Sequence, residues 1–318
     1  MAGEIRFGVL GYASIARREL IPALVDARNA VPYALASQKA ESRAEAAKAF
    51  PFQKIYGAYE DLLADPDVDA VYIPLPNHLH KEWSLRAMAA GKHVLCEKPM
   101  ALSRADCLEM MEASEKHRVK LMEAFMYRFT TRTRILKDLL DKGAIGSVRH
   151  VNATFRFFND RTEDVRFNPD MGGGSLWDVG CYPVNLVGMI MGAAPEAFRA
   201  LKTVRHGVDY SLTAVLRYPS GALCTVSGGF DSDSALVAEI NGTTGSLLVP
   251  DAFHENGTPM TLFKDGVGSS IPVPACDRYV LEVEDFADAI LMDREPGFSL
   301  QETLRNITLM EQILKSAE

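Results

Sequence analysis

Paired cysteines, long apolar runs and an excess of basic residues are all missing from this chain of 318 residues. Its five cysteines, Cys96, Cys107, Cys181, Cys224 and Cys276, are odd in number and scattered. They give no basis for a disulfide framework, and a reducing, cytoplasmic compartment is the expectation. No segment approaches about 18 consecutive apolar residues, so no membrane-spanning helix is expected. The opening residues MAGEIRFGVLG run straight into a strand pattern, so no secretory leader is expected. A formal net charge of −8 argues against nucleic acid as a partner, which calls for a basic face. No His-Glu-x-x-His or paired Cys-x-x-Cys spacing occurs, and no metal site is expected. What is present is 47% hydrophobic residues on a length suited to about two domains, each large enough to bury a core without staples.

The first part of the chain alternates. Ile5–Leu10, Val31–Ser37, Ala70–Ile73, His93–Cys96 and Lys120–Ala124 read as short strands. Helical stretches separate them: Ile15–Ala27, the Ala/Glu/Arg/Lys-rich Ala40–Phe50, and Lys81–Ala90 with Gly91 as its stop. Ser103, with Asp106 three residues on, opens another helix towards His117. Strands and helices taking turns imply a parallel sheet covered on both faces.

Beyond residue 124 the rhythm changes. Arg132–Lys142 and Ser175–Met191 read as helices around a long β segment, Val148–Phe157. Leu212–Tyr218, Leu223–Phe230, Ala235–Asn241 and Leu247–Val249 come next as strands joined by short turns, an antiparallel pattern. Two helices close the chain, Tyr279–Leu291 and one opened by the capping box Ser299–Glu302. The expected class is α/β: a doubly wound parallel sheet over residues 1–124, then an α+β domain over 125–318 on an open, mainly antiparallel sheet. Ala214, Val215 and Leu216 are apolar on both strand parities, so the outer face of that sheet is expected to be covered in a homodimer or homotetramer.

Residues 8–16, GVLGYASIA, link the first strand to the first helix. A dinucleotide fingerprint G-x-G-x-x-G/A at that place lets the backbone approach a pyrophosphate. Here its positions are Gly11, Ala13 and Ala16, the middle one departing by a methyl group. Alone, such a turn is more often just a tight strand–helix connection. Its place in an alternating domain makes Gly11, Tyr12, Ala13, Ser14 and Ile15 candidates for holding a nucleotide cofactor. NAD sites end the second strand with an acid for the ribose 2′-hydroxyl, whereas NADP sites supply a cation. This chain has Ser37, Gln38 and Lys39, then Arg43, with no acid before Glu41. Ser37, Lys39 and Arg43 therefore favour NADP, with NAD second; the plain alternative is a solvated helix start.

Three more motifs fall at strand ends: YIPLPNHLH at 72–80, CEKP at 96–99 and EAFMYRF at 123–129. A fourth, GGGSLWDVGCYPV, spans 172–184. With the first turn, they resemble the glucose–fructose oxidoreductase / inositol dehydrogenase family over essentially the whole chain. The resemblance implies an N-terminal Rossmann domain, a C-terminal domain with a large open sheet, and a nicotinamide cofactor exchanging hydride with a sugar or related alcohol. It also implies that Lys98 meets the reacting oxygen and that Pro74, Leu75, Pro76, Asn77 and His80 lie near the cofactor. Glu97 and Pro99 shape the turn beneath the nicotinamide, and Arg166 and Tyr279 match cofactor-contacting residues of some members. Many members have His where this chain has Tyr182; tyrosine there resembles the branch with dimeric dihydrodiol dehydrogenase and NADP-dependent D-xylose dehydrogenase.

Asp178 and Tyr182 lie four apart in a stretch read as one helix, so their side chains are expected on one face. Without the motif, Tyr182 reads as a half-buried helix residue with a satisfied hydroxyl. A phenol with its ordinary pKa near ~10 is a poor base at neutral pH, but a nearby ammonium favours phenolate. Tyr182 is thus the expected proton carrier, and Lys98 its electrostatic tuner and a donor to the reacting oxygen. Asp178 orients the substrate or holds Lys98 charged; Lys98 as the acid stays open. Arg128, Arg156, Phe158, Asn159 and Asp160 could line the site. Few charges cluster there, which suits a small neutral sugar or polyol. One alternative is a ketoreductase on a nucleotide-linked deoxysugar, whose diphosphate requires extra cations near Arg128 and Arg156. Another is a catalytically silent NADP-binding regulator, against which the joint presence of Lys98, Asp178 and Tyr182 speaks.

Overall fold

Short apolar runs separated by helices can pair only in parallel, because each crossover returns the chain to the same end of the sheet. In a computed structural model describing residues 3–254 and 256–318, six such runs do so. They are β1 (Ile5–Leu10), β2 (Ala30–Ala36), β3 (Lys54–Tyr56), β4 (Ala70–Ile73), β5 (His93–Glu97) and β6 (Leu121–Ala124). Their order is β3-β2-β1-β4-β5-β6, every neighbour parallel. The order reverses between β1 and β4, which opens a crevice at the C-terminal ends of the strands. The connections are α1 (Ile21–Asp26, preceded by a π turn at Ala16–Leu20), α2 (Ala40–Ala49), α3 (Tyr59–Leu63), α4 (His80–Ala89) and α5 (Arg104–His117). Ser103 caps α5 as expected, accepting from the Asp106 amide at 3.1 Å. The domain start expected at residue 1 lies outside the described residues. Phe7, Val9, Leu35, Val71, Val94 and Leu95 are fully buried. Each such side chain contributes about 1.5–3 kcal/mol.

After residue 126 come α6 (Thr131–Asp141), β7 (Val148–Arg156) and α7 (Cys181–Met191), the last preceded by a second π turn at Leu176–Gly180. Seven more strands complete this part: β8 (Ala197–Arg205), β9 (Val208–Arg217), β10 (Leu223–Gly229), β11 (Ala235–Gly242), β12 (Ser246–Pro250), β13 (Met260–Lys264) and β14 (Val267–Ile271). With β7 they form one sheet in the order β14-β13-β12-β11-β7-β10-β9-β8. All pairs are antiparallel except β7–β10. One face packs on α7, where Ala214, Leu216, Val226 and Ala153 are buried. The other carries Leu201, Val215 and Leu223, 68%, 47% and 50% exposed. The pairing is therefore mainly antiparallel, as expected, with Ala214 and Leu216 on the covered face and Val215 on the open one.

The chain then returns. α8 (Arg278–Leu291) and the first residues of α9 (Leu300–Ser316) group with the residues up to Met126. The second compact unit comprises Tyr127–Cys276 and Leu304–Glu318. A single crossing at 124/125 thus gives way to a discontinuous first unit. The cause is the buried stripe Val283, Phe286 and Ala287 on α8. Phe286 meets Phe7 of β1 with ring centroids 6.3 Å apart, so this helix supplies cover that the parallel sheet needs. No described helix is long and apolar enough to cross a membrane.

Arg132 is only 1% exposed. Its Nη1 donates to Pro250 O at 2.8 Å and its Nη2 to Thr258 O at 2.9 Å, stapling α6 to the loop after β12. Arg132→Met is expected to cost about 3 kcal/mol, because it strands two buried carbonyls. The check is a lower denaturant midpoint at an unchanged m-value.

Candidate active site

The strand-end motifs of the first unit meet at the C-terminal edge of its sheet. Gly11 ends β1 at φ +103, donating its amide to Ala36 O at 2.8 Å. That φ favours glycine, and an added Cβ would also crowd Leu75 Cδ2 at 3.1 Å. Tyr12 turns its ring onto Phe50, centroids 6.4 Å apart, and its hydroxyl is buried with no hydrogen-bond partner. Ala13 accepts from the Arg17 amide at 3.0 Å, while Ser14 is exposed. Ile15 leads the π turn, and no side chain caps that start. At the end of β2, Ser37 is buried and Lys39 is exposed. Arg43 reaches back with Nη1 to Ser37 O at 2.7 Å and Gln38 O at 3.1 Å. The C-terminal end of β2 thus has a buried hydroxyl on Ser37, an exposed cation on Lys39, and Arg43 of α2 beside them.

His80 ties two of the motifs together. It is 1% exposed, with Nδ1 2.8 Å from Pro99 O and Nε2 2.7 Å from Leu75 O. A neutral ring can donate to only one of these carbonyls. Burial pulls the imidazole below its usual range against the two carbonyls, which favour the charged form. Pro74 is buried, and Leu75, Pro76 and Asn77 are half-buried along the segment that His80 holds. One strand over, Glu97 accepts the Tyr72 hydroxyl at 2.6 Å and the Lys98 amide at 3.2 Å. The Lys98–Pro99 peptide bond is cis, and Lys98 itself is half-buried. Tyr279 is 6% exposed and lies in the field of Glu97; burial pushes its phenol up.

In the second unit, the GGGS segment is shaped by an acid that sequence reasoning missed. Asp209 of β9 accepts Ser175 Oγ at 2.8 Å and the Leu176 amide at 2.7 Å. Gly174, at φ +118, passes so close that an added Cβ would lie 2.2 Å from Asp209 Oδ1. That clamp opens the π turn bearing Asp178. Arg166 Nε donates to Asp178 Oδ2 at 2.5 Å, and its Nη1 to Asp164 Oδ1 at 3.1 Å. Tyr182 lies just beyond in α7, 5% exposed, its ring packed by Phe155, Phe253 and Tyr127 at centroid distances of 5.1, 5.5 and 5.9 Å. The stretch expected as one helix is a π turn bearing Asp178 that runs directly into α7, which bears Tyr182. Arg166 lies beside Asp178, and aromatic rings pack on Tyr182.

Each unit matches a family model of its own. Residues 5–125 match an oxidoreductase family with an NAD-binding Rossmann fold, and residues 133–248 match the GFO/IDH/MocA C-terminal domain. The chain belongs to the Gfo/Idh/MocA oxidoreductase family. Among curated members, it is 37% identical over 98% of its length to D-xylose 1-dehydrogenase (NADP(+)) 2 of Haloferax volcanii, covering 97% of that protein. It is 32% identical over 86% of its length to mouse trans-1,2-dihydrobenzene-1,2-diol dehydrogenase, covering 82% of it. Among solved structures, KijD10, a 3-ketoreductase from Actinomadura kijaniata in complex with NADP and TDP-benzene, superposes with a TM-score of 0.94. That likeness covers 99% of this chain and 98% of KijD10 at 31% identity. The family assignment and the two-sheet fold implied by the motifs therefore hold.

Tyr72, Glu123, Asp164, Asp209 and Glu282 were not singled out from sequence. The available signal was an acid inside an apolar run, as in LMEAF at 121–125 and YVLEVEDF at 279–286. Gly174→Ala is expected to cost about 2 kcal/mol or more from backbone strain and the clash with Asp209. In a double-mutant cycle with Asp209→Ala, the two losses should fall short of adding, read from thermal unfolding.

Proposed function

We propose that this Gfo/Idh/MocA member is an NADP-dependent dehydrogenase or reductase exchanging hydride with a small neutral sugar or polyol-like alcohol or carbonyl. One observation carries most of it: the Lys98 turn is fixed at the C-terminal edge of the parallel sheet, with Glu97 on Tyr72 and Pro99 on His80. Doubly wound folds bind ligands along that edge. The residues present fit a dinucleotide. The helix after the first turn starts at Ser14 behind Ala13, which has no side-chain acceptor to cap it, so its first amides are left for a pyrophosphate. Lys39 and Arg43 suit a 2′-phosphate, and no acid competes before Glu41. On this reading the first unit holds the cofactor and the second binds substrate.

Bound NADP supplies the hydride acceptor, and NADPH the donor. The protein must move one proton and stabilise charge on oxygen. Lys98 donates to the reacting oxygen, and Tyr182 carries the proton. The ring of Tyr182 is held by aromatic neighbours, which fixes the direction of its hydroxyl. Asp178 orients the substrate, and Arg166 acts through Asp178 by fixing the direction of its carboxylate. Solved KijD10 variants replace one lysine and one tyrosine that are as far apart in its chain as Lys98 and Tyr182 are here. That spacing supports the pairing.

The likeness to KijD10 favours a second reading, reduction of a ketosugar carried on a nucleotide. The commitment of Arg156 weighs against it. This guanidinium already meets Asp231 at 2.7 Å, Ser211 Oγ at 2.9 Å and Ser227 Oγ at 2.8 Å, so a diphosphate would find it neutralised. The open face of the second sheet, with Leu201, Val215 and Leu223, suits burial against another copy in a homodimer or homotetramer. Among the described residues no disulfide joins the five cysteines, four of which are buried, which suits a reducing cytoplasm. The acidic balance suits neither nucleic acid nor an anionic membrane surface.

A nicotinamide absorbance screen tests the assignment. NADP⁺ and NAD⁺ are offered with pentoses, hexoses, inositols and trans-dihydrodiols, and NADPH with a nucleotide-linked ketosugar. Turnover with NADP⁺ and a neutral sugar is expected, with kcat/KM lowered about 10³-fold by Lys98→Met and about 10²-fold by Tyr182→Phe. Lys39→Glu is expected to raise KM for NADP⁺ about tenfold while sparing NAD⁺. Near-normal turnover of Tyr182→Phe across pH removes the tyrosine from the mechanism.

A further inference from the structure

Behind the Lys98 turn lies a carboxyl group that the chemistry above leaves unused. Glu123 sits in β6, opposite Cys96 of β5, and is 1% exposed. Its Oε1 accepts the amide of Met100, two residues beyond Lys98, at 2.9 Å. Its Oε2 is buried with no hydrogen-bond partner. An ionised carboxylate with one oxygen unsatisfied in an apolar strand is costly, so an apolar side chain would serve the fold better. The groups around it have a direction. From the turn after β5, Lys98 favours the ionised form and Glu97 opposes it. From α9, the Thr303 hydroxyl faces Glu123 and favours ionisation without closing a hydrogen bond. Cys96 on β5 and Cys107 on α5 both lie in its field, their thiols pushed up chiefly by burial.

We propose that Glu123 is a positioning residue for Lys98: it holds the turn through the Met100 amide, and its charge sets how firmly Lys98 keeps its proton. This rests on Lys98 acting at the reacting oxygen. Burial pushes the Glu123 carboxyl up to about 7, so its charge changes across neutral pH. Ionised, it stabilises the ammonium of Lys98; protonated, it withdraws that support. The Met100 bond persists in both states, because a carboxylic acid keeps an accepting carbonyl oxygen.

Glu123→Gln preserves the acceptor and removes the charge. In kcat/KM against pH, the variant should lose the inflection near neutrality, and the alkaline limb set by Lys98 should move about one pH unit towards acid. Thr303→Val leaves Glu123 in place but removes a group favouring its charge, so the neutral inflection should move towards alkali. Unfolding of the ligand-free protein gives a readout independent of turnover. A carboxyl at 4.5 when unfolded and about 7 when folded binds more protons in the folded state between those values. Its contribution is full below about pH 4.5 and lost as pH rises through about 7. The Tm of Glu123→Gln relative to wild type should therefore climb by several degrees over that window. A superimposable pH profile and a pH-independent Tm difference, with Lys98→Met inactive, overturn the role of Glu123 alone. Turnover that survives Lys98→Met overturns instead the assignment of Lys98 on which this rests.

Discussion

Parallel pairing puts the C-terminal ends of all six strands of the first sheet on one edge. The turn at Gly11, the cations after β2, the His80 segment and the Lys98 turn come from four separate stretches of sequence, yet share that edge for this reason alone. The edge is then reinforced sideways. Tyr72 reaches Glu97 across one strand gap, and Glu123 reaches the Met100 amide across the next. Such bolts are polar groups buried from solvent, and they show it: burial drives Tyr72 well above its ordinary pKa and Glu123 up to about 7. A purely structural sheet would use apolar side chains there.

The second unit fixes its candidate residues by a different device. A glycine in a conformation closed to other residues lets the chain touch Asp209, and Asp209 in turn satisfies the hydroxyl and amide that open the next helix. That helix begins with a π turn, and so does the helix after the Gly11 turn in the first unit. Each turn inserts one extra residue into a helix just where side chains of interest emerge. Insertions of this kind concentrate at functional sites, since they re-aim side chains without rebuilding the fold.

Most of the fold was legible because its signals are local. The alternation of strands and helices up to residue 124, the capping boxes at Ser103 and Ser299, and the antiparallel run from Leu212 to Val249 all appear where expected. β3 and α3 escaped because three and five residues are too few for a period to show. The destination of α8 escaped for another reason: an apolar stripe announces burial but not the surface that buries it. Motifs pointed to the proposed residues Lys98, Asp178 and Tyr182, whereas the polar groups that shape the segments around them did not stand out. Asp209 lies 31 positions after Asp178 and Glu123 lies 25 after Lys98, and only pairing between strands or packing onto a helix makes them neighbours. The π turn at Asp178 was likewise invisible, because it depends on how Gly174 meets β9.

The late return of α8 has a consequence for how the molecule is made. Phe7 lies in β1, which is translated long before the helix that covers it, beginning at Arg278. The parallel sheet can be assembled early, but one of its faces stays open while the whole of Tyr127–Cys276 is being translated. At ordinary synthesis rates of about 5–20 residues per second, that interval lasts roughly ten to thirty seconds. Throughout it, the nascent first unit presents an apolar surface that a chaperone or the growing second unit must tolerate. The order of the segments thus leaves the first unit incomplete until Asp277–Thr303 has been made, after nearly all of the second.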